Sequence, residues 1–215
     1  MLRLENFESV ICLNGSLPSK RFFDRIASSK ITVVAADGGA HRLMDIKVMP
    51  DFVVGDMDSW KGYEGICDTK IHRKSGQDST DFEKSLFFLR DRNIKKILVL
   101  GVNGGEIDHV INNINTFLRY SDQFDMCFYD EPDFGESKIG RAVNGSMDLD
   151  IDEGSKISLF SFDEGKMKTQ GMQWEIEDKA YQVMETSAAR NKSKSDKVHI
   201  STTGKKLLTV YSGSI

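Results

Sequence analysis

Apolar residues in the first two thirds of the chain follow two periodicities. Five short and nearly continuous apolar runs are typical of strands buried on both faces of a parallel sheet. The runs cover residues 10–13, 31–36, 52–54, 97–100 and 126–129. Segments with helical spacing lie between some of these runs. The alternation predicts a doubly wound, mostly parallel α/β sheet.

Three helices are predicted between the strands. Pro18 marks the start of the first, because proline at the first helical position loses no hydrogen bond. The second runs from residue 80 to 93, with Thr80 and Glu83 in capping-box spacing. The third covers residues 107–118 and carries an apolar stripe. The stripe consists of Ile107, Val110, Ile111, Ile114, Phe117 and Leu118.

The pattern changes after about residue 135. Glycines punctuate short segments such as 156–162, 198–201 and 207–211, and convincing helical spacing is missing. Turn signals at this spacing predict a small antiparallel, β-sandwich-like domain. We therefore expect an α/β domain over residues 1–135 and a β domain over residues 136–215. The polar segment 187–197 is predicted to be a mobile loop.

Composition and charge argue against several classes of protein. The formal net charge is −4 and basic residues are scattered, which argues against nucleic-acid binding as the main activity. Cys12, Cys67 and Cys127 are widely spaced, so neither a disulfide framework nor a zinc site is indicated. Charges interrupt every apolar stretch, so no membrane span is expected. We expect a soluble cytoplasmic protein.

Four aspartate-bearing turns follow one another in the first half of the chain. Each lies where a strand ends or a helix begins, which is where an open α/β sheet gathers its binding loops. The turns are Asp37-Gly38-Gly39, Gly55-Asp56-Met57-Asp58-Ser59, Gln77-Asp78-Ser79-Thr80-Asp81 and Gly104-Gly105-Glu106-Ile107-Asp108-His109. Converging carboxylates repel one another unless a multivalent cation joins them. The pattern therefore favours a Mg²⁺ site that also accepts substrate phosphates.

Asp56 and Asp58 are the strongest metal candidates. In an extended conformation, carboxylates two positions apart point the same way and can share an ion. An EF-hand is excluded, because Trp60 and Lys61 occupy positions that such a loop needs for a ligand and a glycine. The alternative is a surface turn in which aspartate and serine bond local N–H groups.

The remaining turns are weaker signals when taken singly. Asp81 lies in the first turn of a predicted helix, where the helix dipole stabilises a carboxylate whether or not it has a function. The same helix start offers N–H groups to phosphate, with Gln77 and Thr80 as neutral partners. Residues 101–105 form a glycine-rich strand-to-helix loop that matches neither the dinucleotide fingerprint nor a Walker motif.

Histidine and tryptophan are two further candidate residue types. The four histidines lack metal-ligand spacing, and His109 beside Asp108 is the one expected near the chemistry. Trp174 follows a glycine turn and is either a core residue or an exposed stacking platform. General burial tendencies favour the core.

Taken together, five motifs resemble the thiamine pyrophosphokinase family in order and spacing. They are Ala-Asp-Gly-Gly-Ala at 36–40, residues 50–59 ending in Val-Gly-Asp-Met-Asp-Ser, and residues 77–81, 104–109 and 171–174. The resemblance spans nearly the whole chain. Two departures occur: Glu106 stands where many members carry arginine, and Arg190-Asn191 stands where they tend to have Ser-Asn.

The resemblance implies an enzyme that transfers the pyrophosphoryl group of ATP to the hydroxyl of thiamine, giving thiamine diphosphate and AMP. It implies a homodimer of chains with an α/β nucleotide-binding domain and a β domain that contributes to the thiamine site. Asp56, Asp58 and Asp81 would hold Mg²⁺ and act in catalysis with Asp108. The implied nucleotide site comprises Asp37, Gly38, Gly39, Ser59, Gln77, Thr80, Gly104 and Gly105. The implied thiamine site comprises Asp108, Trp174 and Asn191.

Two other functions remain open from the residues. A Mg²⁺-dependent phosphatase with an aspartate nucleophile is partly consistent with Val53 to Ser59, although Gly55 interrupts the apolar run. A non-catalytic nucleotide or metabolite sensor could use the same sheet. An interaction module that uses the β domain has less support, since nothing specifies a partner protein. The general base is also undecided between Asp81 and Asp108.

Overall fold

The computed structural model describes residues 3–58, 70–76, 78–132, 135–182 and 187–214. The chain divides into two compact units, Arg3–Asp133 and Phe134–Ile215.

The described part of the first unit contains six strands that all pair in parallel. They are β1 (Ser9–Cys12), β2 (Thr32–Ala36), β3 (Phe52–Gly55), β4 (Lys70–Arg73), β5 (Lys96–Leu100) and β6 (Asp125–Asp130). Their order across the unit is β6-β5-β1-β2-β3-β4. The five predicted apolar strands are confirmed. β4 was missed because Lys-Ile-His-Arg has no apolar run, as is typical of a strand at a sheet edge.

The strand order fixes where a ligand can enter this unit. The chain builds outward from β1 through β2 and β3 to β4, and then returns to the other side of β1 with β5 and β6. The order therefore reverses between β1 and β5. In open α/β sheets this reversal opens a crevice at the carboxyl ends of the strands, and ligands bind there.

The structure describes four α-helices in this unit and a short 3₁₀ turn at Leu4–Asn6. They are α1 (Lys20–Ala27), α2 (Gly39–Asp45), α3 (Asp81–Arg90) and α4 (Ile107–Arg119). The capping box of α3 is confirmed, because Glu83 N–H donates to Thr80 Oγ1 and Thr80 N–H donates to Glu83. The start of α1 differs from the prediction: Ser19 is extended, and the helix begins two residues after Pro18.

α3 and α4 bury very different fractions of their surface. In α3 the buried residues are Phe82, Glu83, Lys84, Ser85, Leu86, Phe88 and Leu89. In α4 only Thr116, Phe117 and Leu118 are buried, all in its last turns. Ile107 is 74% exposed and Ile111 is 62% exposed. Ile107 and Ile111 of the predicted apolar stripe therefore face solvent in the single chain, whereas Val110 is half-buried.

Within its described residues, the second unit contains eight strands in antiparallel pairs. They are β7 (Lys138–Val143), β8 (Ser146–Asp150), β9 (Lys156–Ser161), β10 (Gly165–Gln170), β11 (Lys179–Tyr181), β12 (Ser187–Lys192), β13 (Lys197–Thr202) and β14 (Leu207–Ser212). One set runs β12-β9-β14-β7 and the other runs β11-β10-β13-β8. The predicted fold class, a mostly parallel α/β region followed by antiparallel β structure, is confirmed.

The prediction of a mobile loop at 187–197 was wrong. Residues 187–192 form β12, which pairs with β9 and shifts register between Ala188 and Asn191. Arg190, inside that irregularity, has the left-handed φ of 60°. The polar sequence misled the prediction, because a bulged strand needs no apolar alternation on its irregular side.

Two buried thiols lie in the parallel sheet. Cys12 and Cys127 are both buried, and burial raises the pKa of the Cys12 thiol well above its usual range. Cys12 is therefore not placed to act as a nucleophile at neutral pH. Across the described residues, no helix combines the length and the hydrophobicity needed to cross a bilayer.

Candidate active site

A cavity of about 480 Å³ opens among the loops that follow the strands of the first unit. Leu13 to Gly15 follow β1, and Gly101 and Val102 follow β5, so the cavity includes the point of strand reversal. Other described lining residues are Ala36, Asp37, Gly38, Asp56, Asp78 to Lys84, Gly105, His109, Val110, Asn112 and Asn113. Residues from all four predicted aspartate turns therefore line one cavity, although the fourth turn contributes Gly105 and His109 rather than Asp108.

Three carboxylates form a tight acidic group. Asp37, Asp56 and Asp58 each offer an oxygen, and these oxygens lie within 4.8 Å of one another. Asp37 is 2% exposed, and its N–H donates to the Val54 carbonyl of β3. The sequence had placed Asp37 only in the nucleotide site, so its membership of this group was missed.

The backbone around Met57 explains how Asp56 and Asp58 come together. The prediction assumed an extended segment, but Met57 has a left-handed φ of 68° and is buried. Asp58 N–H donates to Asp56 Oδ1 at 3.3 Å. A tight turn with a strained residue, rather than a continuing strand, therefore pairs the two carboxylates, and such strain is common at functional sites.

The donor set fits a hard divalent cation. Two oxygens bound to one Mg²⁺ lie at most about 4.2 Å apart, since each bond is about 2.1 Å long. The three carboxylates are within a small side-chain rotation of that spacing. Mg²⁺ also commonly combines carboxylates with substrate phosphates. Asp37, Asp56 and Asp58 could hold such an ion.

Asp81 joins this group through a lysine. Lys84 Nζ donates to Asp56 Oδ2 at 3.0 Å and to Asp81 Oδ1 at 2.9 Å. Asp81 is also next to Gly55, where an added Cβ would lie 3.1 Å from Asp81 Oδ1 and 2.7 Å from Asp37 Cβ. The predicted trio of Asp56, Asp58 and Asp81 therefore does converge, although Asp81 reaches it partly through an ion pair.

Lys84 is the main site residue that the sequence did not reveal. Its side chain is only 4% exposed. Burial by itself lowers the pKa of the ammonium, but the hydrogen bonds to Asp81 and Asp56 outweigh this and raise the pKa overall. The hydrogen bond from Lys84 also lowers the pKa of Asp56. The one available signal was the i, i+3 spacing from Asp81, which places both side chains on one face of a helix.

The start of α3 is anchored to the end of α4. The Glu83 side chain accepts from Thr80 N–H, and Tyr120 Oη donates to Glu83 Oε1 at 3.0 Å. Arg119 forms an ion pair with the same carboxylate. Thr80, predicted to bind nucleotide, lines the cavity but uses its hydroxyl in the helix cap. This network fixes the helical turn that carries Asp81 and Lys84.

Glycines allow the loops after β1 and β5 to pack backbone against backbone. Gly104 has a φ of +91°, and an added Cβ would overlap Ser16 Oγ and lie 2.6 Å from Ser16 N. Ser16 N–H donates to the Asn103 carbonyl at 2.7 Å. Of the predicted pair, Gly105 lines the cavity and Gly104 packs against the neighbouring loop. A similar division applies to Gly38, which lines the cavity, and Gly39, which packs against the Cys12 carbonyl.

Asp108 is less directly placed than predicted. It is exposed, and its Oδ1 accepts a hydrogen bond from His109 N–H at 2.8 Å in the first turn of α4. His109, Asn112 and Asn113 from the same helix line the cavity, whereas Asp108 is not among its described lining residues. The predicted nucleotide-binding residues Ser59 and Gln77 lie outside the described part of the chain.

Trp174 in the second unit is 59% exposed, so the interpretation of this residue as core was wrong. Asn191, which is buried, donates from Nδ2 to the Trp174 carbonyl at 2.7 Å and accepts from Trp174 N–H at 3.2 Å. Glu175 accepts from the N–H groups of Gly171 and Met172. The turn therefore presents a large aromatic face to solvent from a fixed backbone.

Comparison with known proteins points to one family. Residues 23–128, just under half of the chain, match the model of the thiamin pyrophosphokinase catalytic domain. The family model and the curated relatives both indicate the thiamine pyrophosphokinase family. Thiamine pyrophosphokinase 1 of Oryza sativa subsp. japonica is 31% identical over 139 residues, and that of Arabidopsis thaliana is 29% identical over 140 residues. Both matches cover 53% of this chain and 52% of the relative. The matched region thus spans about half the length of these relatives.

Solved structures of the family share the fold over almost the whole chain. Thiamine pyrophosphokinase from Bacillus subtilis superimposes with a TM-score of 0.79 at 17% identity, covering 96% of this chain and all of that one. The yeast enzyme gives a TM-score of 0.76 at 19% identity, covering 98% of this chain and 88% of the other. The phosphatase and sensor alternatives gain no support from these relatives.

Proposed function

We propose that this chain belongs to the thiamine pyrophosphokinase family and is an ATP:thiamine diphosphotransferase that requires Mg²⁺. The observation that carries the proposal is the cluster of Asp37, Asp56, Asp58 and Asp81 around buried Lys84, in a cavity at the strand reversal. A cavity that concentrates negative charge suits a cation together with a polyphosphate. The names of the relatives supply the acceptor, thiamine.

Each part of the cavity has a proposed task. Asp37, Asp56 and Asp58 would hold Mg²⁺, with Asp81 beside them. The bound ion would neutralise phosphate charge and orient the polyphosphate. Gly38 and Gly105 would let the polyphosphate approach the loop backbones closely, while Asn112 and Asn113 offer neutral hydrogen-bonding groups.

The proposed reaction is an in-line displacement at the β-phosphorus of ATP. The hydroxyl oxygen of thiamine bonds to that phosphorus, and the bond from it to the oxygen bridging the α-phosphate breaks. AMP leaves, and the hydroxyl proton passes to a base. Asp81 and Asp108 remain the candidates for that base. Because positioning and charge neutralisation dominate phosphoryl transfer, the carboxylates act mainly by fixing charge.

We assign thiamine recognition in part to residues 136–215 and nucleotide recognition to residues 1–135. The exposed indole of Trp174 would stack on the aromatic rings of thiamine. Asn191, predicted as a direct contact, would act through Trp174, because its amide oxygen and nitrogen both hold the Trp174 backbone.

Self-association and a cytoplasmic location complete the proposal. The family resemblance suggests a homodimer. In such a dimer, a second copy of the chain would cover the exposed face of α4 that carries Ile107 and Ile111. Sedimentation equilibrium of the full chain measures the molecular mass directly. A monomer at micromolar concentration would contradict the dimer without affecting the chemistry.

Product analysis tests the activity itself. With ATP, Mg²⁺ and thiamine, we expect AMP and thiamine diphosphate in equal amounts, because one pyrophosphoryl transfer gives one of each. Ion-exchange chromatography of the quenched reaction measures both. Chelation of the metal by EDTA should stop the reaction. Release of inorganic phosphate without AMP would support the phosphatase, and binding of ATP and thiamine with no product over hours would support the sensor.

Trp174→Ala is expected to raise the KM for thiamine about fivefold, with kcat and the KM for ATP little changed. The lost stacking contributes on the order of 1 kcal/mol, and the exposed position means that the core is not disturbed. Steady-state kinetics with each substrate varied in turn measures the effect. Trp174→Phe is the matched control and should retain most of the affinity. An unchanged KM for thiamine in Trp174→Ala would remove this residue from the site.

A further inference from the structure

Lys84 and a divalent cation would compete for the same carboxylate. Asp56 accepts from Lys84 at 3.0 Å and also belongs to the group of Asp37, Asp56 and Asp58. Asp81 accepts from the same ammonium at 2.9 Å. The Lys84 side chain is almost completely buried, so water screens its charge poorly.

The charges that line the cavity determine how this competition affects the binding of a cation and of a polyphosphate. Among its described lining residues, Lys84 is the only lysine or arginine, facing four clustered aspartates. A positive group beside a metal site weakens binding of the metal alone, because like charges repel. The same group strengthens binding of a polyphosphate, because it offsets the negative charge of the neighbouring carboxylates.

We propose that Lys84 holds Asp56 and Asp81 in the metal-free site and weakens binding of a divalent cation until a polyphosphate enters with it. This inference rests on the proposed function. Lys84 is in this sense a positioning residue and an internal counter-ion. Its charge would make cation and polyphosphate binding depend on each other.

Two binding measurements on the full chain test the proposal. Mn²⁺ stands in for Mg²⁺, and electron paramagnetic resonance of free Mn²⁺ gives its Kd without nucleotide. Calorimetry with ATP in EDTA gives the Kd of the polyphosphate without metal. In Lys84→Met we expect Mn²⁺ to bind about tenfold more tightly and ATP about tenfold more weakly. The two shifts have opposite signs, whereas general damage to the cavity would weaken both.

Control variants separate charge from packing. Lys84→Arg retains the charge and should leave both affinities within about threefold of the wild type. Lys84→Gln removes the charge but keeps a hydrogen-bond donor, and it replaces Lys84→Met if circular dichroism shows that the methionine variant is unfolded. Lys95→Met removes an exposed lysine at the amino end of β5, whereas the cavity lies at the carboxyl end of that strand, and it should change neither affinity.

Unchanged or weaker Mn²⁺ binding in a folded, charge-neutral variant at position 84 would overturn the proposal. Unchanged ATP binding in that variant would overturn it as well. Neither measurement uses thiamine or turnover. The binding data can therefore refute the proposed role of Lys84 even if the protein catalyses pyrophosphoryl transfer. They can equally support that role if no transfer is observed.

Discussion

Asp56→Asn is expected to lower kcat/KM for the thiamine-dependent release of AMP by about 10³-fold or more, because metal-ion stabilisation of phosphoryl transfer contributes several kcal/mol. The change removes charge from the one carboxylate that belongs to the Asp37 and Asp58 group and also pairs with Lys84. It keeps the volume of the side chain, so the fold should survive. Asp58→Asn should have a similar effect. Coupled assay of AMP at saturating ATP and Mg²⁺ measures the loss.

Asp91→Asn provides the matched control for this experiment. Asp91 lies at the other end of α3, and its side chain is 57% exposed. The same chemical change there should leave kcat/KM within about twofold of the wild type. Activity of Asp56→Asn close to the wild-type value, in protein with an unaltered circular dichroism spectrum, would remove Asp56 from the metal site.

Gly104→Ala is expected to reduce the free energy of unfolding by about 2–4 kcal/mol, the sum of backbone strain and overpacking. The residue has a φ of +91°, and the new Cβ would overlap Ser16 Oγ and lie 2.6 Å from Ser16 N. Backbone atoms of Ser16 cannot move aside as a flexible side chain can. Urea titration followed by circular dichroism measures the change.

Gly154→Ala is the control that measures backbone strain without steric overlap, so the difference between the two variants gives the contribution of the overlap. Gly154 has a φ of +81°, and a Cβ added there would have no atom within 4 Å. This variant should lose only about 1 kcal/mol, from backbone strain alone. Equal losses at the two positions would show that the loop after β5 adapts easily to a side chain at position 104.

The sequence predicted those parts of the fold in which a local residue pattern coincides with burial in the structure or with a helix cap. Strands such as β1 and β5 are continuous apolar runs, and α3 carries a capping box that fixes its first turn. α2 was missed because Gly38 and Gly39 are more typical of a turn than of a helix start. β4 and β12 were missed because neither strand has an apolar run or clear alternation.

The convergence of the acidic residues was predictable, but their pairing was not. Strand ends on one edge of a parallel sheet bring Asp37, Asp56 and Asp81 close together in any such fold. The left-handed conformation of Met57 and the burial of Lys84 both depend on tertiary contacts. Lysine is rarely buried without a partner. The i, i+3 spacing indicates Asp81 as one partner, but nothing in the local sequence indicates Asp56. Asp81 of the same helix and Asp56 of the loop after β3 together compensate for the burial of Lys84.

The packing of α3 has a consequence for how ligands are received. Seven of its ten residues are buried, and the helix carries both Asp81 and Lys84. A helix enclosed on so many sides cannot tilt or unwind without breaking the packing of Leu86, Phe88 and Leu89. These two charges therefore keep their positions whether or not a ligand is present. The reorganisation energy at this side of the cavity is small, and any closure over a ligand must come from the more exposed loops.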